Sequence, residues 1–127
     1  MVGDLEPMQI IPMVYSLEIM KPKILAHGFY NKIEYWVINY GNHPCAYLGF
    51  PEGHKFYNKH YDDLEIDCHG GLTFSGMKNF SNKWLIGWDY AHYLDYTFMM
   101  PEGHQWTTEE IIKEIMGVID ENELEVK

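Results

Sequence analysis

Apolar positions along this chain change rhythm, and each rhythm predicts a different element. Lys23-Ile24-Leu25-Ala26-His27-Gly28-Phe29 reads as a strand closing at a glycine, and Glu34–Tyr40, dense in β-branched and aromatic residues, reads as a second. The Asn31-Lys32 turn between them predicts a hairpin. Gly41-Asn42-His43-Pro44 is a turn by composition, and Cys45–Phe50 follows as a short strand. From Pro51 to Asp63 the residues are polar and aromatic, which predicts a loop or a single helical turn. Leu64-Glu65-Ile66-Asp67-Cys68-His69 then alternates strictly. Leu64, Ile66 and Cys68 would face one side of a strand, and Glu65, Asp67 and His69 the other. Trp84–Trp88 predicts a further strand leading into Asp89 and His92.

Beyond Trp106 the spacing becomes helical. Thr107-Thr108-Glu109-Glu110 is a capping box, with Trp106 and Ile111 placed for a hydrophobic staple. Ile111, Ile112, Ile115, Val118 and Ile119 form an apolar stripe that must lie on a sheet. Glu109 and Glu110 complement the positive end of the helix dipole. Acids from Asp120 onward predict a loose tail over 120–127, and Pro7, Pro12 and Met-rich apolar positions predict an extended arm over 1–22 or a short first element. The expected fold is α+β: an antiparallel sheet of about five or six strands, covered on one face by the C-terminal helix.

Composition narrows the function classes. A chain of 127 residues fits one domain, 1–127, and its 46% hydrophobic and 16% aromatic content is enough for a core and for an aromatic-lined pocket. Nineteen acidic residues stand against nine lysines with no arginine, giving a net charge of −10. Arginine is the favoured residue for phosphate and base recognition, and a phosphate backbone repels an acidic surface, so direct nucleic-acid binding is disfavoured. A basic partner protein suits that charge. With no signal-like opening and no apolar run of spanning length, a cytoplasmic protein is expected, with no membrane partner and with Cys45 and Cys68 reduced.

Candidate chemistry gathers at two segments. His69 is followed by Gly70 and Gly71, whose backbone can turn sharply and approach a ligand, and Thr73 adds a hydroxyl. Asp89 ends a strand, with Tyr90, His92 and Asp95 soon after it. Were the two strands neighbours, Asp67, His69, Asp89 and His92 would converge. Three readings fit this cluster: buried polar groups satisfying one another, a ligand pocket, or a metal or hydrolytic centre. No HxH, HExxH or CxxC spacing supports the last. Of the other histidines, His27 could share the rim, while His43, His54, His60 and His104 read as exposed turn and loop residues. Pro51-Glu52-Gly53-His54 recurs as Pro101-Glu102-Gly103-His104, each with an aromatic two residues later, an echo explained by shared turn chemistry.

The chain also resembles a family of small bacteriophage and prophage proteins. The resemblance rests on His43-Pro44-Cys45-Ala46-Tyr47, His69-Gly70-Gly71-Leu72-Thr73, Trp84 through His92 with its Gly-x-Asp-x-Ala-His pattern, and Trp106-Thr107-Thr108-Glu109-Glu110. The chain departs from the family's pattern at Trp88 and Tyr90, where a Phe and a Cys are expected. The resemblance implies a phage setting, hence action against host defence, and no catalytic mechanism. The leading expectation is a non-enzymatic binder of a small polar ligand, such as a signalling nucleotide, without a cofactor. Trp88 and Tyr90 would pack or stack on the ligand, Asp67 and Asp89 would accept hydrogen bonds, and Thr73 and Asp95 would complete the ligand-binding set. His69, His92 and the Gly70–Gly71 backbone would meet polar or anionic groups, and Lys78 or Lys83 any phosphate. The alternatives are an acidic inhibitor of a basic host protein, such as a CRISPR nuclease, and a metal-dependent hydrolase. Homo-oligomerisation stays open.

Overall fold

Asn31 and Lys32 both take left-handed backbone angles, with φ of 49° and 68°. Two such residues make a tight hairpin whose twist matches that of the strands it joins. The computed structural model describes residues 22–41, 43–92, 94–97 and 99–124. Residues 1–21 of the expected arm and Asn42 of the expected turn lie outside them. Strands β1 (Lys23–Tyr30) and β2 (Ile33–Asn39) flank the hairpin turn, followed by β3 (Pro44–Phe50), β4 (Phe74–Gly76) and β5 (Trp84–Asp89). All pair antiparallel in the order β1-β2-β3-β5-β4, and helix α1 (Thr108–Glu121) closes the chain. This is the expected α+β architecture, with five strands among the described residues.

Strict alternation along β2, β3 and β5 gives the sheet two apolar faces. Ile33, Val37, Leu48, Phe50, Ile86 and Trp88 point to one side and meet Ile111, Ile115, Val118 and Ile119 of α1 in a buried cluster. Each such aliphatic side chain contributes about 1.5–3 kcal/mol when removed from water. The capping box starts the helix as expected, Thr107 accepting from the Glu110 N–H and Glu110 from the Thr107 N–H. On the other face Trp36, Ile38, Tyr47 and Leu85 are covered by Tyr40, Phe74 and Phe80. Glycines make room for these flat rings: a Cβ on Gly87 would lie 2.6 Å from Tyr47 and one on Gly49 2.9 Å from Trp36.

Two expectations need correction. Leu64–His69 is not a strand of the sheet. Leu64, Ile66 and Cys68 do turn toward the first-face core while Glu65 and Asp67 are exposed. However, the Asp67 backbone pairs with a side chain: its N–H donates to Asn122 Oδ1 (3.2 Å) and its carbonyl accepts from Asn122 Nδ2 (3.3 Å). Period-two burial reports an extended chain with one covered side, not which partner satisfies its backbone. The strand that β5 gains instead is Phe74-Ser75-Gly76, too short to show a pattern. The loose tail is the second correction. Asp120 and Glu121 belong to α1, and Asp120 accepts from Tyr30 (2.7 Å) and Asn31 (3.0 Å). Leu124 is fully buried, and 125–127 lie outside the described residues.

Candidate functional site

The double-glycine turn brings the first motif to the second without any strand pairing. Gly70 and Gly71 hold φ of 69° and 82°, and the Gly71 N–H closes the turn on the Cys68 carbonyl at 3.0 Å. Thr73 N–H then donates to the Gly87 carbonyl (2.9 Å) and hands the chain to β4 beside β5. The missing side chain at Gly70 matters as much as its angle, since a Cβ there would lie 2.3 Å from the His92 ring.

Asp95 is the hub. It is 2% exposed, and its carboxylate accepts from His69 Nε2 (2.8 Å), the His92 N–H (2.9 Å) and Trp106 Nε1 (2.9 Å). Burial alone would raise its pKa, but these three donors outweigh it and hold the carboxyl below the ordinary range. The His69 ring lies on Tyr90 at 4.6 Å and 12°, with the Trp106 ring at 5.0 Å and 63° to it. Tyr90 donates its hydroxyl proton to Glu114 and accepts from Trp88 Nε1 at 3.0 Å. Burial first, then the Glu114 carboxylate, raises the Tyr90 phenol far above its usual range, so Tyr90 is a neutral donor. An acid with three donors and a low pKa is a pin that holds the loop, not a general base.

The structure thus brings together His69, Gly70, Asp89, Tyr90, His92 and Asp95, with Thr73 Oγ1 at 3.4 Å from Asp89 Oδ2. His92 Nε2 lies 3.0 Å from Asp89 Oδ1, yet it is buried and finds no aligned hydrogen-bond partner among the described residues. Trp88 and Tyr90 are each 1% exposed, so neither offers a ring face to a ligand, a correction to their expected stacking role. Tyr90, just past β5, continues the apolar face that carries Trp88 into the core. Asp67 does not join Asp89 and His92, because the Leu64–His69 segment runs toward α1. Gly71 has open space where a Cβ would be. Lys83 pairs with Glu34 (2.7 Å) and Lys78 lies on aromatic rings, both on the second face of the sheet. His27 belongs there too, stacked on Trp36 and bonded to Glu34.

Between the 67–69 segment and α1 runs an open groove of about 740 Å³. His69 and Trp106 form one wall, and Asp67, Glu110, Glu114 and Glu121 line it, with Lys113 beside them. Sequence reasoning missed the helix side of this site. The signal was present: Glu110, Glu114, Gly117 and Glu121 recur at helical spacing, a second stripe beside the apolar one. A Cβ on Gly117 would meet nothing within 4 Å, so that position adds no floor to the groove.

Neither cysteine is placed for nucleophilic work. Cys45 and Cys68 are free thiols, pushed up to about 11 and about 12 by burial first and by neighbouring carboxylates second. Among the described residues no group of three or more His, Cys, Asp or Glu side chains is arranged to hold a metal ion, and no helix is long and apolar enough to cross a membrane. The chain matches no protein-family model, and no curated protein or solved structure is significantly similar to it.

Proposed function

We propose that the protein binds a small polar ligand without transforming it, in the groove between the 67–69 segment and α1. The observation that carries this reading is the groove itself: about 740 Å³, walled by Trp106 and His69, which the Asp95 pin holds in place. That volume lies within the range of small-molecule sites. Four carboxylates and one lysine line it, so a neutral or cationic ligand fits better than a phosphorylated one. The signalling nucleotide expected earlier is therefore not the ligand proposed. An amine could lie against Trp106 with its charge toward Glu114 and Glu121. Among the described residues lining the groove, the one thiol, Cys68, is pushed up to about 12 by burial and is no activated nucleophile, which favours binding over turnover. Action against host defence remains part of the proposal through the sequence resemblance.

The test is thermal unfolding against a panel of small amines, neutral polar compounds and nucleotides, repeated on Asp67→Asn/Glu121→Gln. Those two carboxylates take no side-chain hydrogen bond among the described residues, so the variant changes the groove and spares the pin. An amine that raises the wild-type Tm and no longer does so in the variant supports the reading. A nucleotide that stabilises both proteins equally, or an inert panel, overturns it. The inert result turns attention to the acidic protein–protein inhibitor, for which the exposed Ile24 and Phe29 of β1 would supply apolar contact.

A further inference from the structure

On the opposite face of the sheet from the groove, three aromatic rings surround one ammonium. Lys78 Nζ lies 4.6 Å from the centre of Phe74, 5.3 Å from Tyr40 and 5.7 Å from Tyr47. All three distances are within the roughly 6 Å over which a ring face attracts a cation. Tyr47 stands at 83° to Tyr40 and at 86° to Phe74, so the rings make walls and not a stack. Tyr47 is fixed from behind by its fit over Gly87 and donates its hydroxyl proton to Tyr40 at 3.3 Å.

Lys78 is singular among its neighbours. Lys83, in the same loop, is ion-paired with Glu34. For Lys78 no carboxylate among the described residues serves as partner, in a chain whose net charge is −10. Its counterpart is the set of ring faces. A primary ammonium entering such a box gives up hydrogen bonds to water that rings replace poorly, whereas a quaternary ammonium has none to give up. The loop carrying Lys78 lies between β4 and β5 and is tied by short local bonds, Ser81 N–H to the Lys78 carbonyl (3.3 Å) and Lys83 N–H to Ser81 Oγ (3.0 Å). The side chain can leave without breaking a strand.

We infer that Tyr40, Tyr47 and Phe74 form a recognition cage for a small quaternary ammonium compound, and that Lys78 plugs it in the free protein. This site is separate from the groove and stands or falls independently of it. The plug makes the apparent affinity of wild type weaker by the fraction of time the cage is free.

The experiment is an NMR titration of the aromatic ring resonances with tetramethylammonium chloride, with tert-butanol and sodium chloride as uncharged and salt controls. It is run on wild type, Lys78→Ala and Lys78→Ala/Phe74→Leu. Lys78→Ala is expected to bind tetramethylammonium about ten-fold more tightly than wild type. The added Phe74→Leu is expected to weaken it about ten-fold again, with neither control shifting the rings. Lys78→Ala binding no tighter than wild type, or the rings responding equally to tert-butanol, would overturn the inference. Should the amide spectrum of Lys78→Ala show an unfolded chain, Lys78→Ser passes through the same titration.

Discussion

Pro-Glu-Gly-His occurs twice, and the two copies are tied to opposite ends of one helix. At 51–54 the turn closes on itself, His54 N–H donating to the Pro51 carbonyl at 3.1 Å. At 101–104 it is held from outside, His104 N–H donating to the Leu94 carbonyl at 2.7 Å and the Tyr96 N–H to the His104 carbonyl at 2.8 Å. His54 Nε2 reaches the Leu124 carbonyl (3.3 Å) just past the C-terminal end of α1, and His104 Nε2 reaches Glu110 (2.9 Å) in its first turn. The glycines differ most. Gly53 has φ of 92° and open space around it, whereas a Cβ on Gly103 would lie 2.2 Å from the Asp95 carbonyl oxygen. One copy needs the backbone freedom of glycine, the other its lack of a side chain. The same four residues are put to different uses by what packs against them.

The largest effect that would break or confirm this contrast is Gly103→Ala. Its methyl group meets backbone, which cannot rotate away, in the segment that carries the Asp95 pin. A loss of about 3 kcal/mol or more is expected, at the upper end of overpacking costs. Gly53→Ala meets only the strain of a positive φ, worth about 1 kcal/mol. Urea unfolding midpoints of the two variants measure the difference directly. Equal losses would show that the two turns use glycine alike.

Truncating the histidines is the next sharper comparison. His54 is half-buried between the Leu124 carbonyl and the Phe56 N–H, which it accepts at 3.0 Å. His54→Ala should cost about 1–2 kcal/mol by leaving those groups unpaired. The His104 side chain is 53% exposed and its pairing with Glu110 is screened by water. His104→Ala should change stability by no more than about 0.5 kcal/mol. Denaturation at pH 7.5 separates the two.

These pairs also show where a sequence stops speaking. The hairpin at Asn31-Lys32, the two-faced strands β2, β3 and β5 and the capping box on α1 were legible, because each is set by residues close together in the chain. The Leu64–His69 segment was misread because its burial pattern is that of a strand while Asn122, 55 residues later, supplies its backbone bonds. Of the expected cluster, His69, Asp89 and His92 do meet, though without strand pairing and without Asp67. That Asp95 is its hub, that Trp106 completes it and that Trp88 and Tyr90 turn inward could not be read. The partner of Trp106, Asp95, and that of Tyr90, Glu114, lie beyond any local pattern. In the echo, the histidine–aromatic spacing could be read, but the neighbour that forbids a side chain at 103 could not.

The smallest expected effect, and the finest separation of the two turns, is in pH. Burial, more than the nearby Lys55 charge, lowers the His54 pKa below its ordinary 6.5. Below pH 6.5 the unfolded chain therefore takes up a proton that folded His54 refuses, and stability falls until the folded pKa is passed. At the other turn, the Thr107 N–H first and His104 second hold Glu110 below its ordinary 4.5. Its contribution is complete above pH 4.5 and is lost as pH falls through the lower folded value. Acid thus weakens both ends of the helix, in windows that open at different pH, 6.5 and 4.5. Urea midpoints across a pH series should show His54→Ala with a flatter decline starting from pH 6.5. Glu110→Gln, which keeps an acceptor for the Thr107 N–H, should follow wild type there and diverge only below 4.5. If Glu110→Gln flattened the upper window instead, that window would not belong to His54, and the separation of the two turns by pH would fail.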